Sequence, residues 1–323
     1  MKRILGMGNA LVDIMISLEC EEILKVLELP KGSMQLVDKE RSNKILDVLK
    51  GYTKSQSAGG SAANTIHSLG MLGIPTGYVG VVGEDDFGGF FVRDMINAGV
   101  DPMMIHSTEV TGRAIALVTP DSERTFATFL GAAIELTAGN LRSEMFKDYD
   151  YFHIEGYLVQ NHDLIHRAVK LAKEKGLTVS LDMASYNVVN ANKDFLGEII
   201  HNYVDILFAN EEEARAFTGY EPEEALREIG ETVEITVIKT GSSGSLIKQG
   251  VEIVPVGIIP VTPVDTTGAG DLYAAGFLYG HSLGLSLRRC GEIGALLAGR
   301  VIEIIGSKMP MEHWVLIKNQ IVN

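Results

Sequence analysis

The sequence predicts an α/β protein: a doubly wound, mostly parallel sheet with helices on both faces, plus a small β-rich lid. Three observations carry that expectation. Short β-rich runs alternate with helical stretches over most of the 323 residues, the order that builds parallel sheets. Several of those runs are apolar almost throughout, as strands covered on both faces must be. Two segments, about 14–55 and 100–132, break the alternation with short strands and turns that the main sheet does not need.

The elements follow in chain order. The first strand, Arg3–Gly8, begins with basic then apolar residues, as a secretion signal does. Asn9 and Asp13 interrupt the run, and no small-x-small cleavage site follows, so a buried first strand is the better reading. Further strands are expected at Thr76–Val82, Tyr149–Ile154, Leu177–Asp182, Val204–Ala209 and Glu234–Thr240. The stretch Asn161–Lys175 places Leu164, Ile165, Ala168, Leu171 and Ala172 on one helical face. Arg113–Thr119 and Thr125–Leu130 form a hairpin around Pro120-Asp121-Ser122-Glu123, inside the expected lid. No repeat or Pro/Ser-rich linker divides the chain, so residues 1–323 are read as one unit carrying its lid.

Composition narrows the function. Apolar residues make up 46% and charged residues 22%, which excludes a largely disordered chain. With 28 Lys and Arg against 42 Asp and Glu, the net charge is −14. Such a surface repels phosphate backbones and argues against a nucleic-acid binder, while leaving room for one local anion site. Two cysteines, Cys20 and Cys290, build neither a disulfide framework nor a cysteine-rich metal site, and suit a reducing compartment. No apolar run approaches the ~18 residues of a membrane span. A cytoplasmic protein without a membrane partner is expected.

The strongest chemical signal is Asp265-Thr266-Thr267-Gly268-Ala269-Gly270-Asp271, a small-residue turn running straight into an apolar helix. The first amides of a helix have no internal acceptor and face outward in positive potential. Gly268 and Gly270 clear side chains from that approach, so an anion can reach the backbone. Asp271 falls in the first helical turn, where the dipole favours its charged form. A bare Gly-x-Gly would read as an ordinary helix cap, but the five positions together occur by chance in about one window per million.

Two weaker motifs accompany it. Ser57-Ala58-Gly59-Gly60-Ser61-Ala62-Ala63-Asn64 leads into a helix, Thr65–Leu72, where paired glycines allow close backbone approach and Asn64 offers donor and acceptor together. Gly8-Asn9-Ala10-Leu11-Val12-Asp13 ends the first strand. Leu11 stands where a dinucleotide fingerprint needs its third glycine, so Asn9 and Asp13 make better sense as hydroxyl-binding groups. No P-loop sequence is present.

Together these residues resemble the ribokinase (PfkB-type) family of carbohydrate and nucleoside kinases, over essentially the whole chain. That resemblance implies a ribokinase-like fold and transfer of the γ-phosphoryl of ATP, with Mg2+, to a primary hydroxyl. It makes Asp271 the catalytic base and the amides of Gly268, Ala269, Gly270 and Asp271 an anion hole. Asn210-Glu211-Glu212-Glu213 is similar to the family's Asn-x-x-Glu element, which implies Asn210 on the nucleotide side and Glu213 near magnesium through water; dipole capping of a helix is the alternative for that acidic run. Lys239-Thr240-Gly241-Ser242-Ser243-Gly244 resembles the nucleotide-side loop, which assigns Lys239, Gly241, Ser242 and Gly244 to ATP. Asp265 and Thr267 match positions that hold a monovalent cation such as K+ in many members, with Ile302–Ser307 as the accompanying loop.

The acceptor is drawn two ways. The pairing of Asn9 with Asp13, and the segment Thr128–Ala133, are closer to adenosine kinases; by that resemblance Asp13, Gly60 and Asn64, beside Asn9 and Gly59, hold ribose hydroxyls. Glu155, after a core strand, instead resembles a sugar-contacting glutamate of ribokinases. A nucleoside such as adenosine, taken at its 5′-hydroxyl, is the first reading, a free sugar the second, and a non-catalytic ligand binder the third. The family implies a monomer or a homodimer paired through the lid.

Overall fold

The computed structural model describes residues 2–121 and 123–322, so Ser122 of the expected hairpin turn lies outside the described residues. Its strands are β1 (Ile4–Met7), β2 (Leu11–Ser17), β3 (Met34–Leu36), β4 (Lys54–Gly59), β5 (Thr76–Gly83), β6 (Val100–Ser107), β7 (Thr111–Val118), β8 (Arg124–Gly131), β9 (Tyr151–Glu155), β10 (Thr178–Asp182), β11 (Ile206–Asn210), β12 (Ile235–Lys239), β13 (Ser245–Gln249) and β14 (Glu252–Val256). Nine form one sheet in the order β14-β13-β12-β11-β10-β9-β1-β5-β6, and five form a second in the order β3-β8-β7-β2-β4. This is the ribokinase-like doubly wound arrangement. The large sheet is parallel from β12 to β6, and only β13 and β14 turn antiparallel at one edge.

β1 lies between β5 and β9, with Ile4 beside both Thr76 and Tyr151. Successive strand side chains point to opposite faces. Ile4 therefore joins the core that includes Ile66, Phe277 and Leu297, while Leu5 joins the one that includes Phe152, Val169 and Leu196. A strand with core on both sides has no polar face, which explains its unbroken apolar run. Helix His162–Glu174 buries Leu164, Ile165, Ala168, Val169, Leu171 and Ala172, and Asn161 caps it by accepting from the Leu164 amide. Among the described residues no helix is long and apolar enough to cross a membrane.

The second sheet corrects the expected lid boundaries. Residues 100–107 are not part of it: β6 pairs with β5 along its whole length and edges the large sheet. Between its buried ends, Val100 and Ser107, its residues are half-covered or exposed, which hides it from an apolar-run criterion. The small sheet instead begins at Leu11, since β2 pairs with β4 and β7. The β7–β8 hairpin forms as expected.

This topology sets up the site. Glu155, Asp182, Asn210 and Lys239 are the last residues of β9, β10, β11 and β12. Asp182 is level with Glu155, and Asn210 with Lys239. Polar side chains thus line up along the carboxyl ends of the strands, where open α/β sheets bind ligands.

Candidate active site

The turn before helix Ala269–Ser282 is shaped by glycine. Gly268 has φ +76°, and a Cβ there would lie 2.7 Å from the Ser307 side chain. A left-handed residue with no side-chain space starts the helix so that Gly270 and Asp271 fall in its first turn, where amides lack intrahelical acceptors. The Ala269 amide departs from the expected anion hole, because it donates to the Thr266 carbonyl (3.2 Å).

Asp271 is held by the second glycine motif. Its Oδ1 accepts from Ser61 Oγ (2.6 Å) and its Oδ2 from Asn64 Nδ2 (2.9 Å). Asn64 Oδ1 in turn accepts from Ser307 Oγ (3.0 Å). Asn64, expected to hold a ribose hydroxyl, thus joins Asp271 to Ser307. Ser61, at the start of helix Ser61–Leu72, can sit there because Gly60 takes φ +102°, with the Asn9 carbonyl where a Cβ would be. Burial, before any other influence, lifts Asp271 to about 6, against the hydrogen bonds from Ser61 and Asn64. The helix start does not keep it near the ordinary value, yet it remains mostly ionised at neutral pH.

These residues border one cavity of about 950 Å³. Asn9, Asp13, Gly60, Asn64, Glu155, Asn210, Glu213, Lys239, Gly241, Thr267, Gly268, Gly270 and Asp271 all reach it. Ser242 and Gly244 do not line it; Gly244 (φ +96°) instead makes the tight turn between β12 and β13, its missing Cβ facing the Val256 carbonyl. Gly59 is also outside the lining, and its missing Cβ makes room for the Asp13 carboxylate.

Glu155 departs from the sugar-contact expectation. Its Oε1 accepts from the Asn9 amide (2.9 Å) and Asn9 Nδ2 (2.6 Å), and its Oε2 from the Ala62 amide (2.9 Å). It is 1% exposed and clamps the end of β1 to helix Ser61–Leu72. Burial raises it to about 7, opposed by those three donors. Asp13 is likewise raised to about 7 by burial, with the Lys308 charge opposing.

The metal expectations meet the same test. Asn210 caps the helix that follows by accepting from the Glu213 amide (2.8 Å), while Glu213 accepts from the Asn210 amide (2.8 Å) and Nδ2 (2.7 Å). That reciprocal cap is the dipole alternative, now visible. Both Glu213 carboxylate oxygens thus already accept from Asn210. Among the described residues no group of three acidic, His or Cys side chains could hold a metal. The monovalent-cation position does not fit a cation. Asp265 accepts from the Thr267 amide (2.6 Å) and the Gly306 amide (2.6 Å) and is ion-paired with Arg124, whose Nη1 also donates to Thr267 Oγ1 (2.9 Å).

The family model for pfkB family carbohydrate kinase matches residues 33–314. The chain belongs to the PfkB family. Its members are phosphotransferases with an alcohol acceptor, and this chain is a sugar or nucleoside kinase of that family. It is similar to a probable sugar kinase from Rhizobium etli (32% identity, TM-score 0.88, 99% of each chain). It is equally similar to an adenosine kinase from Sinorhizobium meliloti (31% identity, TM-score 0.88, 99% of each chain). An adenosine kinase from Saccharomyces cerevisiae is 28% identical over 330 residues, 95% of this chain and 96% of the relative.

Sequence reasoning missed several residues of this PfkB site. Asp182 pairs with Lys239 Nζ (2.8 Å) on the cavity wall, and Lys239 Nζ lies 3.1 Å from where a Gly270 Cβ would stand. Asp182 closes a strand that the sequence reveals, so its position at a carboxyl end was a usable signal. Ser61, Ser307 and Arg124 carry no comparable signal, since each acts across a distance of many residues.

Proposed function

We propose that this PfkB kinase transfers the γ-phosphoryl group of ATP to the 5′-hydroxyl of a nucleoside of the adenosine type. One observation carries the choice over a free sugar. The cavity that Asp13 and Asp271 border is also lined by Met34, Leu36, Phe126, Leu130, Ile134 and Leu136. Met34, Leu36 and Ile134 are each at least 60% exposed, apolar surface left open beside polar groups, as a ligand with a flat apolar part requires. Glu155, the residue that favoured a free sugar, is occupied by backbone donors.

The chemistry follows from the residues. The acceptor hydroxyl sits at Asp271, which orients it and takes its proton as the oxygen bonds to phosphorus. The bond from phosphorus to the β-phosphate oxygen breaks, and ADP leaves. Little early deprotonation is needed in a loose transition state, so a carboxylate titrating at about 6 is base enough. The amides of Gly268, Gly270 and Asp271 and the ammonium of Lys239 face the charge on the transferring group. Lys239 stays charged: burial alone would lower it, but Asp182 and Glu213 outweigh that. Magnesium, when bound with ATP, supplies further charge neutralisation, with Glu213 reaching it through water. The small sheet acts as the lid that excludes water from the acceptor.

The test is ADP release with adenosine, inosine, guanosine, ribose, fructose and fructose phosphates. Covering about 100 Å² of a base with that wall contributes about 2.5 kcal/mol. Adenosine should therefore exceed ribose in kcat/KM by roughly 10²-fold. Ribose or fructose turning over as well as any nucleoside would overturn the proposal.

A further inference from the structure

The Asp265 carboxylate has no exposed side-chain surface and lies six residues before Asp271. Its Oδ1 accepts from the Thr267 amide and its Oδ2 from the Gly306 amide. Two neutral donors do not cancel a buried charge, and a negative charge beside an anion-binding helix start would repel the phosphates. The counter-charge comes from outside the turn. Arg124, the first residue of β8, belongs to the small sheet, and its guanidinium meets three oxygens of the catalytic turn. Those are the Asp265 carboxylate, Thr267 Oγ1 (2.9 Å from Nη1) and the Val264 carbonyl (3.4 Å from Nη2). A carboxylate, a hydroxyl and a carbonyl are the oxygens that would surround a hard cation. Here one planar, permanently charged fork engages all three.

We propose that Arg124 is the built-in cation of the catalytic turn, so that turnover needs no monovalent ion and removing the guanidinium creates a requirement for one. Arg124 is then a positioning residue. It holds residues 264–267, and through Gly268 the first helical turn, at the setting that the amides and Asp271 need. The effect rests on the phosphate role proposed for that helix start, whereas occupancy of the position does not.

The experiment compares potassium chloride with tetramethylammonium chloride at equal ionic strength, for the wild type, Arg124→Ala, Arg124→Gln and Arg124→Lys. Turnover is followed with whichever acceptor the panel selects, and thermal unfolding is followed in parallel without nucleotide. The wild type should be indifferent to the salt in both readouts. Arg124→Ala should lose kcat on the order of 10²-fold in tetramethylammonium, the scale of misplaced catalytic groups. Potassium should recover most of that loss and raise the Tm of this variant alone. Arg124→Lys should keep a charge at the position and stay indifferent; Arg124→Gln tests the requirement if the alanine variant does not fold. Potassium activation of the wild type would overturn the inference, as would alanine and glutamine variants whose turnover and Tm ignore potassium. If no acceptor is phosphorylated, the proposed function fails, and the Tm comparison still decides the role of Arg124.

Discussion

Replacing Asp271 by asparagine separates chemistry from architecture. Asparagine keeps the volume and one carbonyl oxygen. That oxygen can still accept from Asn64 Nδ2, now 2.9 Å from Oδ2, while the new amide turns to Ser61 Oγ, 2.6 Å from Oδ1. A serine hydroxyl can exchange donor for acceptor, so no buried polar atom is stranded and the cost to folding is held to about 1 kcal/mol. The Tm should therefore move by no more than about 4 °C. What is lost is the acceptor for the hydroxyl proton. Positioned acid-base groups contribute roughly 10²–10⁴-fold, so kcat should fall by that factor, or about 2.7–5.4 kcal/mol of barrier. Acceptor and ATP affinity, read by calorimetry, should survive, because asparagine still hydrogen-bonds a hydroxyl and removes a negative charge near the phosphates. A variant keeping a tenth or more of wild-type turnover would refute Asp271 as the base. Loss of binding and stability together would show that its role is structural.

Two further expectations follow from the backbone and from buried charge. Gly60→Ala meets both left-handed φ and the Asn9 carbonyl 2.1 Å from the new Cβ, whereas Gly176→Ala, at φ +75° with nothing within 4 Å, meets only backbone strain. Left-handed strain alone costs roughly 1–2 kcal/mol, so Gly60→Ala should lose clearly more Tm than Gly176→Ala, and equal losses would show that the close approach is relieved at no cost. Burial also lifts Glu155 and Glu213 to about 7, above their unfolded value of 4.5. The folded chain therefore holds more protons in that window, and stability falls as pH rises through it. His67 and His153, depressed by burial, and Lys308, lowered by burial to about 8, act in the opposite sense. The histidines do so mostly below 6.5 and the lysine mostly above 8, so the carboxylates set the sign between. Urea midpoints should accordingly be higher at pH 6.5 than at pH 8, with the difference reduced in Glu213→Gln; a higher midpoint at pH 8 would contradict the assignment.

The fold was legible wherever its signal is local. β1, β5, β9, β10, β11 and β12 appear as apolar runs because both faces are buried, and helix His162–Glu174 appears as a periodic stripe because only one face is. β6 was expected outside the main sheet for the converse reason: an edge strand whose residues between its two buried ends are half-covered or exposed carries a diluted pattern. The two glycine motifs marked the site because a left-handed turn and a close backbone approach restrict residue type at single positions. Gly60 and Gly268 show both restrictions.

Asp271 and its glycine turn, the strand-helix alternation and the absence of a P-loop were therefore settled by the sequence alone. Only the tertiary structure decided what each polar group faces. It bound Glu155 to Asn9 and Ala62 and Asn64 to Asp271, added Ser61, Ser307 and Asp182, and paired Arg124 with Asp265. The physical reason is range. Helix starts and turns are governed by neighbouring residues, but the Arg124 guanidinium reaches a carboxylate 141 positions later, a contact that exists only once two sheets have packed together.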